Sequence, residues 1–500
     1  MTSPSIRPRR RGSANRNVPS EPALLLLAVL AAVGLGLACP ARCRAHDLEA
    51  GFANADITPQ LHAQRPVWLA GYGHNRAARG VHDPLYARAL VLRSRGEKVA
   101  VACVDLIGLQ RAEVLRIRRA LADYAYVLVS STHNHAGPDC IGLWGDNPFS
   151  SGVDPAYLQR VVEQVVAAIR QAEQRLVPVA ARYGTAEDEA LLGDSRLPKV
   201  YDGVLRTVRF VHRSNQRTAG LLVQWNCHPE ALGPRNTLIT ADFVATTVER
   251  LQRHFDAPVV YVSGAVGGLM APPEGRFHAA DGRLLREGEF AFAEAYGEAV
   301  AQLAQRAMAD DQPVQLTPWS IASRDIAVPL QNGVYQLARA LGVLQRGGCL
   351  WTGDPDVTKP EVPHVADATK MAVVTEVAYL RLGQLHVACL PGELYPELVY
   401  GRFQEPADPA ADFPHAPPEP CVARLLPDPN RMLIVGLAND EIGYLIPKRQ
   451  WDVEPPFCYG RQRAQYGEIN SVGPDAAGIV LHALGRCVDD ALARRAAPPP

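Results

Sequence analysis

The chain has 500 residues, with 51 Lys and Arg against 52 Asp and Glu and a formal net charge of -1 at pH 7. That balance leaves no overall field to draw in a polyanion, which argues against nucleic-acid binding and against recruitment by charge alone to an anionic membrane. At about 100–200 residues per domain the length by itself allows three domains.

Arg9-Arg10-Arg11, a polar gap and an apolar run from Ala23 to Ala38 open the chain, and Cys39-Pro40-Ala41-Arg42-Cys43-Arg44-Ala45 follows. A basic segment, a short apolar stretch and small residues behind it predict a secretory signal over 1–45, with cleavage after Ala45. The run is shorter than the roughly 20 residues a membrane span needs. A lipoprotein signal ending at Cys39 is the alternative, and the residues around the arginines do not support twin-arginine export. The expectation is an exported protein, periplasmic or extracellular, with peripheral membrane contact left open and the oligomeric state unread.

Val99–Val104 and Tyr126–Val129 read as buried strands. Between them, Arg111–Ala122 repeats Val114, Ile117 and Leu121 at helical spacing, which makes a βαβ unit. Pro155–Glu173 carries Val161, Val162, Val165, Val166 and Ile169 on one helical face. Further strands are predicted at Arg206–Val211, Gly220–Val223, Pro258–Val262, Val373–Leu382 and Met432–Val435, and a helix at Phe290–Ala307. The fold class expected is α/β, mixed β-sheets covered by helices, with no internal repeat. Phe403–Pro420 is too rich in proline for regular structure. It is expected as a loop, either near a site mouth or simply on the surface.

Candidate ligands stand where strands run out. Ser131-Thr132-His133-Asn134-His135-Ala136-Gly137-Pro138-Asp139 follows one, Trp225-Asn226-Cys227-His228-Pro229-Glu230 follows a second, and Leu390-Pro391-Gly392-Glu393 closes a third. Neutral imidazoles and a carboxylate suit zinc, and a catalytic zinc takes about three protein ligands with a position left for water. Asp105 and Asp242 are candidates to accept the second ring N–H of a ligand histidine, or else ordinary turn-capping aspartates.

Of the ten cysteines, two lie in the predicted signal and the other eight show no CxxC spacing. Cys103, Cys227 and Cys389 read as buried free thiols. Cys421 and Cys458, both in Pro-rich loop sequence, are the pair to watch in an oxidising compartment.

Taken together, Gly51-Phe52-Ala53-Asn54-Ala55-Asp56-Ile57-Thr58-Pro59, the S-T-H-N-H-A-G-P and N-C-H-P segments, L-P-G-E, and Leu437-Ala438-Asn439-Asp440-Glu441-Ile442-Gly443-Tyr444 resemble the catalytic domain of the neutral/alkaline non-lysosomal ceramidases, which are zinc-dependent amide hydrolases. The resemblance implies one large zinc-hydrolase-type catalytic domain over 46–490, a Pro-rich tail over 491–500, and a chain without the C-terminal immunoglobulin-like domain of ceramidases proper. It further implies zinc held by His133, His228, Glu393 and Tyr444, with His135, Arg196 and Tyr466 as catalytic residues facing a small-molecule or lipid amide substrate.

The resemblance breaks at one place. The family serine loop aligns with Ser263-Gly264-Ala265-Val266-Gly267-Gly268-Leu269-Met270-Ala271-Pro272, and Met270 stands at the serine position. A thioether has no proton to give. Either Ser263 substitutes from the other end of the loop or water activated by zinc acts alone, with Met270 lining a substrate pocket. The expected function is a secreted zinc-dependent hydrolase of an N-acyl amide, ceramide or a related lipid amide. The alternatives are an esterase or amidase on a non-lipid substrate, or an inactive zinc-bearing binding homologue.

Overall fold

Turn chemistry sets the first hairpin. Arg95 and Gly96 both take positive φ, 53° and 84°, and fold Tyr86–Ser94 back onto Glu97–Val104 with Ser94 opposite Glu97. Two consecutive left-handed residues are what a two-residue loop between right-twisted strands requires, and glycine meets that requirement without strain. The structure, a computed structural model, describes residues 48–62, 65–357, 361–362 and 370–496. The predicted signal segment 1–45 and the last four residues of the predicted tail lie outside them.

The hairpin belongs to a large mixed sheet. Its strands lie in the order Val259–Ser263, Thr218–Trp225, Val204–His212, Val177–Glu187, Glu49–Asp56, Tyr86–Ser94, Glu97–Val104, Tyr126–Ser131, and Gln312–Val314 also pairs with Val177–Glu187. Both ends of this order are parallel pairs, while the interior is antiparallel. A second sheet runs Trp319–Pro329, Met371–Leu382, Leu385–Cys389, Met432–Val435, and it too ends in a parallel pair.

The two sheets stack. Phe52, Leu90, Val101, Leu128, Phe210 and Leu222 of the first pack against Ala378, Leu380, Val387 and Leu433 of the second. Helices Arg111–Ala120 and Pro155–Gln174 cover one half of the large sheet's outer face, and Phe243–Phe255 with Phe290–Ala309 cover the other. Ala476–Ala496 covers the outer face of the smaller sheet. The architecture is therefore α/β, mixed sheets between helical layers in one unit spanning His46–Pro500. Among the described residues no helix is long and apolar enough to cross a membrane.

The predicted elements appear with ends shifted by a few residues. Pro155–Gln174 starts where Asp154 accepts from the Ala156 N–H, with proline at the first helical position. Glu49–Asp56, Val177–Glu187, Phe243–Phe255 and Ala476–Ala496 had no strand or helix assigned from sequence. The last of these carries helix through 491–496, into the predicted tail. Phe403–Pro420 contains neither helix nor strand. Its Glu405, Asp408 and Asp412 hold Arg449, the Tyr459 N–H and the Val453 N–H. Cys421 and Cys458 are both buried and unpaired.

Parallel pairs matter for the site because their strands end together. The ends carrying Thr132-His133 and Ser263 meet directly: Ser263 Oγ donates to the Thr132 carbonyl at 2.7 Å. The chain after Leu385–Cys389 and after Met432–Val435 supplies the remaining groups.

Candidate metal centre

His133 is the second residue past its strand and has φ 65°, a left-handed conformation unusual for a side chain of this size. The Thr132 and Asn134 N–H groups donate to the Val104 and Leu106 carbonyls at 2.9 and 3.1 Å, so the backbone on both sides of the turn is pinned. The Asn134 amide adds bonds to the Asp105 and Thr240 carbonyls at 3.1 and 2.7 Å. In this position His133 Nδ1 donates to the Ile107 carbonyl at 2.7 Å, which leaves the Nε2 lone pair facing inward.

His228 is oriented the same way by another carbonyl. Its backbone N–H and its Nδ1 both donate to the Met270 carbonyl, at 2.7 and 3.0 Å. Both inward nitrogens converge on one carboxylate oxygen: Glu393 Oε2 lies 2.9 Å from His228 Nε2 and 3.3 Å from His133 Nε2. Burial pushes the Glu393 carboxyl up, but the charge His133 carries when protonated, a state this carboxylate itself favours, together with the bonds from both rings outweighs burial and holds it at about 2.

His135 completes a triangle, with its ring 5.0 Å from that of His133 and 5.5 Å from that of His228. Ligand atoms of the three buried imidazoles all lie within 4.8 Å of one another, a group able to hold a metal ion. Neither ring nitrogen of His135 has a hydrogen-bond partner, and Nδ1 is 3.5 Å from Glu230 Oε2. Burial, then the neighbouring histidines, drives its pKa well down and keeps it neutral. Gly71, at φ 97°, lies against this ring so closely that a Cβ there would fall 2.4 Å from His135 Cγ.

Tyr444 pairs in register with Glu393 in a two-residue parallel ladder, and its ring is 6.4 Å from that of His228 and 6.2 Å from that of Tyr466. Burial raises both phenols above their ordinary range. Tyr466 remains 47 % exposed, and its hydroxyl accepts from the Asn470 amide.

The other sequence candidates sit behind this layer. Arg196 makes a two-pronged ion pair with Glu468, at 2.9 and 2.6 Å, and donates to the Tyr466 and Gln450 carbonyls at 2.7 and 2.9 Å. Asp105 pairs with Arg88 at 2.5 Å and accepts from the Tyr86 N–H, with no bond to a histidine ring. Asp242 accepts from the Ala231, Leu232 and Phe243 N–H groups, fixing the loop behind His228 and starting the Phe243–Phe255 helix. The second ring N–H of each inward-facing histidine therefore goes to a backbone carbonyl, which side-chain patterns do not reveal. The Met270 side chain is buried among Leu191, Leu221, Trp225 and Tyr261.

Next to the imidazoles opens a partly enclosed cavity, bounded by His133, His135, Glu393, Tyr444 and Tyr466 on one side. Ile107, Ile141, Trp144, Leu330, Leu344 and Val373 form much of the rest. Two carboxylates here had no role from sequence: Glu230, beside His135, and Glu441, in the cavity wall. Their neighbours in the N-C-H-P-E and N-D-E-I-G-Y segments were the available signal.

No protein-family model matches the chain, and no curated protein does. The fold is nonetheless found among solved structures. The crystal structure of neutral ceramidase from Pseudomonas aeruginosa superposes with a TM-score of 0.65 at 17 % identity, covering 90 % of this chain and 75 % of that one. A ceramidase complexed with C2 matches with a TM-score of 0.65 at 16 % identity, over 90 % of this chain and 76 % of that chain. This chain shares their fold.

Proposed function

We propose that this protein is an exported zinc-dependent hydrolase that cleaves an N-acyl amide with an apolar acyl or amine portion, in the manner of the ceramidases whose fold it shares. The observation that supports this most is the convergence of His133 Nε2 and His228 Nε2 on Glu393 at the wall of an apolar cavity. Two imidazoles with donors locked outward, a carboxylate held ionised and a buried imidazole without partners fit a borderline cation.

In this reading His133, His228 and Glu393 hold the zinc, with the Tyr444 phenol as fourth group. Bound there, zinc supplies a Lewis acid for the scissile carbonyl and lowers the pKa of water to near 7. His135 has both ring nitrogens free of protein bonds, so it can take a proton at one and deliver it to the leaving amine. Tyr444, kept protonated by burial, and the half-exposed Tyr466 can donate to negative charge that develops on the carbonyl oxygen. Arg196 acts at one remove, holding the Tyr466 main chain through its carbonyl. Met270 contributes its backbone oxygen to His228. With Ser263 buried and bonded to Thr132, activated water is the nucleophile of choice.

The test is turnover of a panel of acyl amides and acyl esters by protein of measured zinc content, with and without a chelator. Amide cleavage that falls with zinc removal and returns with zinc supports the reading. A zinc-loaded protein that binds but cleaves none of the panel points to the binding homologue, which the methionine in place of a serine favours.

A further inference from the structure

His135 is clamped between the loop 70–76 and the segment that follows His228. Its main chain is fixed on both sides: the His135 N–H donates to the Pro229 carbonyl at 3.2 Å, and Arg76 donates to the His135 carbonyl. The Tyr72 ring meets the imidazole in an edge contact at 5.0 Å, with the Arg76 guanidinium 4.8 Å from the Tyr72 ring centre. Gly71 lies so close to the imidazole that a side chain there would collide with it. The ring therefore has a fixed plane, while neither of its nitrogens carries a hydrogen bond.

Glu230 stands where it can distinguish the two nitrogens. Because the His135 N–H binds the Pro229 carbonyl, the next residue is brought alongside the ring, and Glu230 Oε2 lies 3.5 Å from His135 Nδ1. The Tyr72 hydroxyl faces the same residue, 3.4 Å from Oε2 and 3.3 Å from the Glu230 carbonyl. Asp242 accepts from the Ala231 and Leu232 N–H groups and holds the chain just beyond. In His133 and His228 it is likewise Nδ1 that meets an acceptor, a backbone carbonyl in each case. An ionised carboxylate can only accept, so it selects the tautomer with the proton on Nδ1 and leaves Nε2 as the basic nitrogen.

We propose that Glu230 is a positioning residue for proton transfer: by accepting from Nδ1–H it fixes the His135 tautomer, so that Nε2 takes the proton released by the attacking water and hands it to the leaving amine nitrogen. Nδ1 keeps its own proton throughout, and the pair gains or loses none overall. This rests on the amide-hydrolase reading with His135 facing substrate, and it adds the group that decides which ring nitrogen works. At 3.5 Å the contact is long, and catalytic bonds of this kind tighten when substrate binds. A carboxylate beside a general base acts in this way by orienting the imidazole rather than by taking its proton.

Nitrogen NMR of zinc-loaded protein carrying isotope-labelled histidine tests the contact without turnover. The His135 signals, assigned by their loss in His135→Ala, should show Nδ1 as the N–H nitrogen and Nε2 as the bare one, and Glu230→Leu should move the population toward Nε2–H. A native His135 protonated on Nε2 overturns the proposal whether or not the variant folds, and so does an unchanged tautomer in Glu230→Leu. On an acyl amide that the native protein cleaves, Glu230→Leu should lower kcat by about 10–100-fold, part of the roughly 10²–10⁴-fold that a proton shuttle supplies, with KM within about 3-fold and zinc content unchanged. The same change made in His135→Ala should cost less than about 2-fold, because the carboxylate acts only through that ring. Equal losses in both backgrounds, or loss of zinc from Glu230→Leu, would make Glu230 a structural group and sink the assignment. If no acyl amide is cleaved, the hydrolase reading falls by itself, and the tautomer of His135 still decides whether Glu230 fixes it.

Discussion

Glu393 and Tyr444 are register partners in a parallel ladder only two residues long, although 50 positions separate them in sequence. The ladder brings the chain following one strand of the smaller sheet against the chain following its parallel neighbour. Both side chains thereby face the imidazoles that the large sheet delivers. On this arrangement the protein should bind zinc near one equivalent per chain, measured by elemental analysis after dialysis. His228→Ala should lose most of it, and Glu393→Ala should do the same. Full occupancy in both variants would mean the metal, if any, lies elsewhere.

His135 discriminates between two uses of the three-histidine cluster. If it faces substrate, His135→Ala should keep the zinc and lower kcat by about 10²–10⁴-fold. Loss of zinc in that variant would instead make it a ligand.

Arg196 and Glu468 are each 2 % exposed and bonded to one another at both prongs. Removing one partner strands a buried charge, so Arg196→Ala should destabilise by about 3–5 kcal/mol in a denaturant titration. The double change Arg196→Met with Glu468→Leu should recover much of that stability. Activity should not return with it, because the Tyr466 carbonyl has then lost its donor.

Glu397 sits under the site with its carboxyl accepting from Gln450 Nε2 at 2.9 Å, and burial outweighs that bond and pushes its pKa to about 7 from an ordinary 4.5. A raised folded-state pKa means that the native form holds the proton more tightly than the unfolded chain. Its stabilising contribution is complete below 4.5 and fades as pH rises through about 7. Thermal unfolding should show Tm falling between those values, and Glu397→Gln should flatten part of the fall. An unchanged slope in Glu397→Gln would assign the dependence to other groups.

Met270 separates structural from chemical roles. Its side chain belongs to the core beneath the site, and only its backbone oxygen reaches His228. Met270→Ala should therefore cost about 2–5 kcal/mol of stability while retaining zinc. A serine-directed reagent should leave activity intact. Stoichiometric labelling of Ser263 with loss of turnover at full zinc content would move the nucleophile to that residue.

Much of this was written in the chain itself. Apolar runs and helical spacing set the elements from Val99 to Ile169, because burial on one face imposes its period on the sequence. The histidines and Glu393 were visible as ligand-type residues at strand ends. Glu49–Asp56 escaped because alanine, glycine and asparagine carry little strand propensity, and its place in the sheet comes from pairing with Tyr86–Ser94. Only the tertiary structure decided which groups meet. The carbonyls of Ile107 and Met270 aim the two imidazoles, Arg196 turns away to Glu468, and Glu441 is left facing an apolar cavity with one oxygen unmatched. These are contacts of backbone atoms and of residues hundreds of positions apart. Residue identity constrains what a side chain can do, whereas the packing of the sheets determines what lies within 3 Å of it.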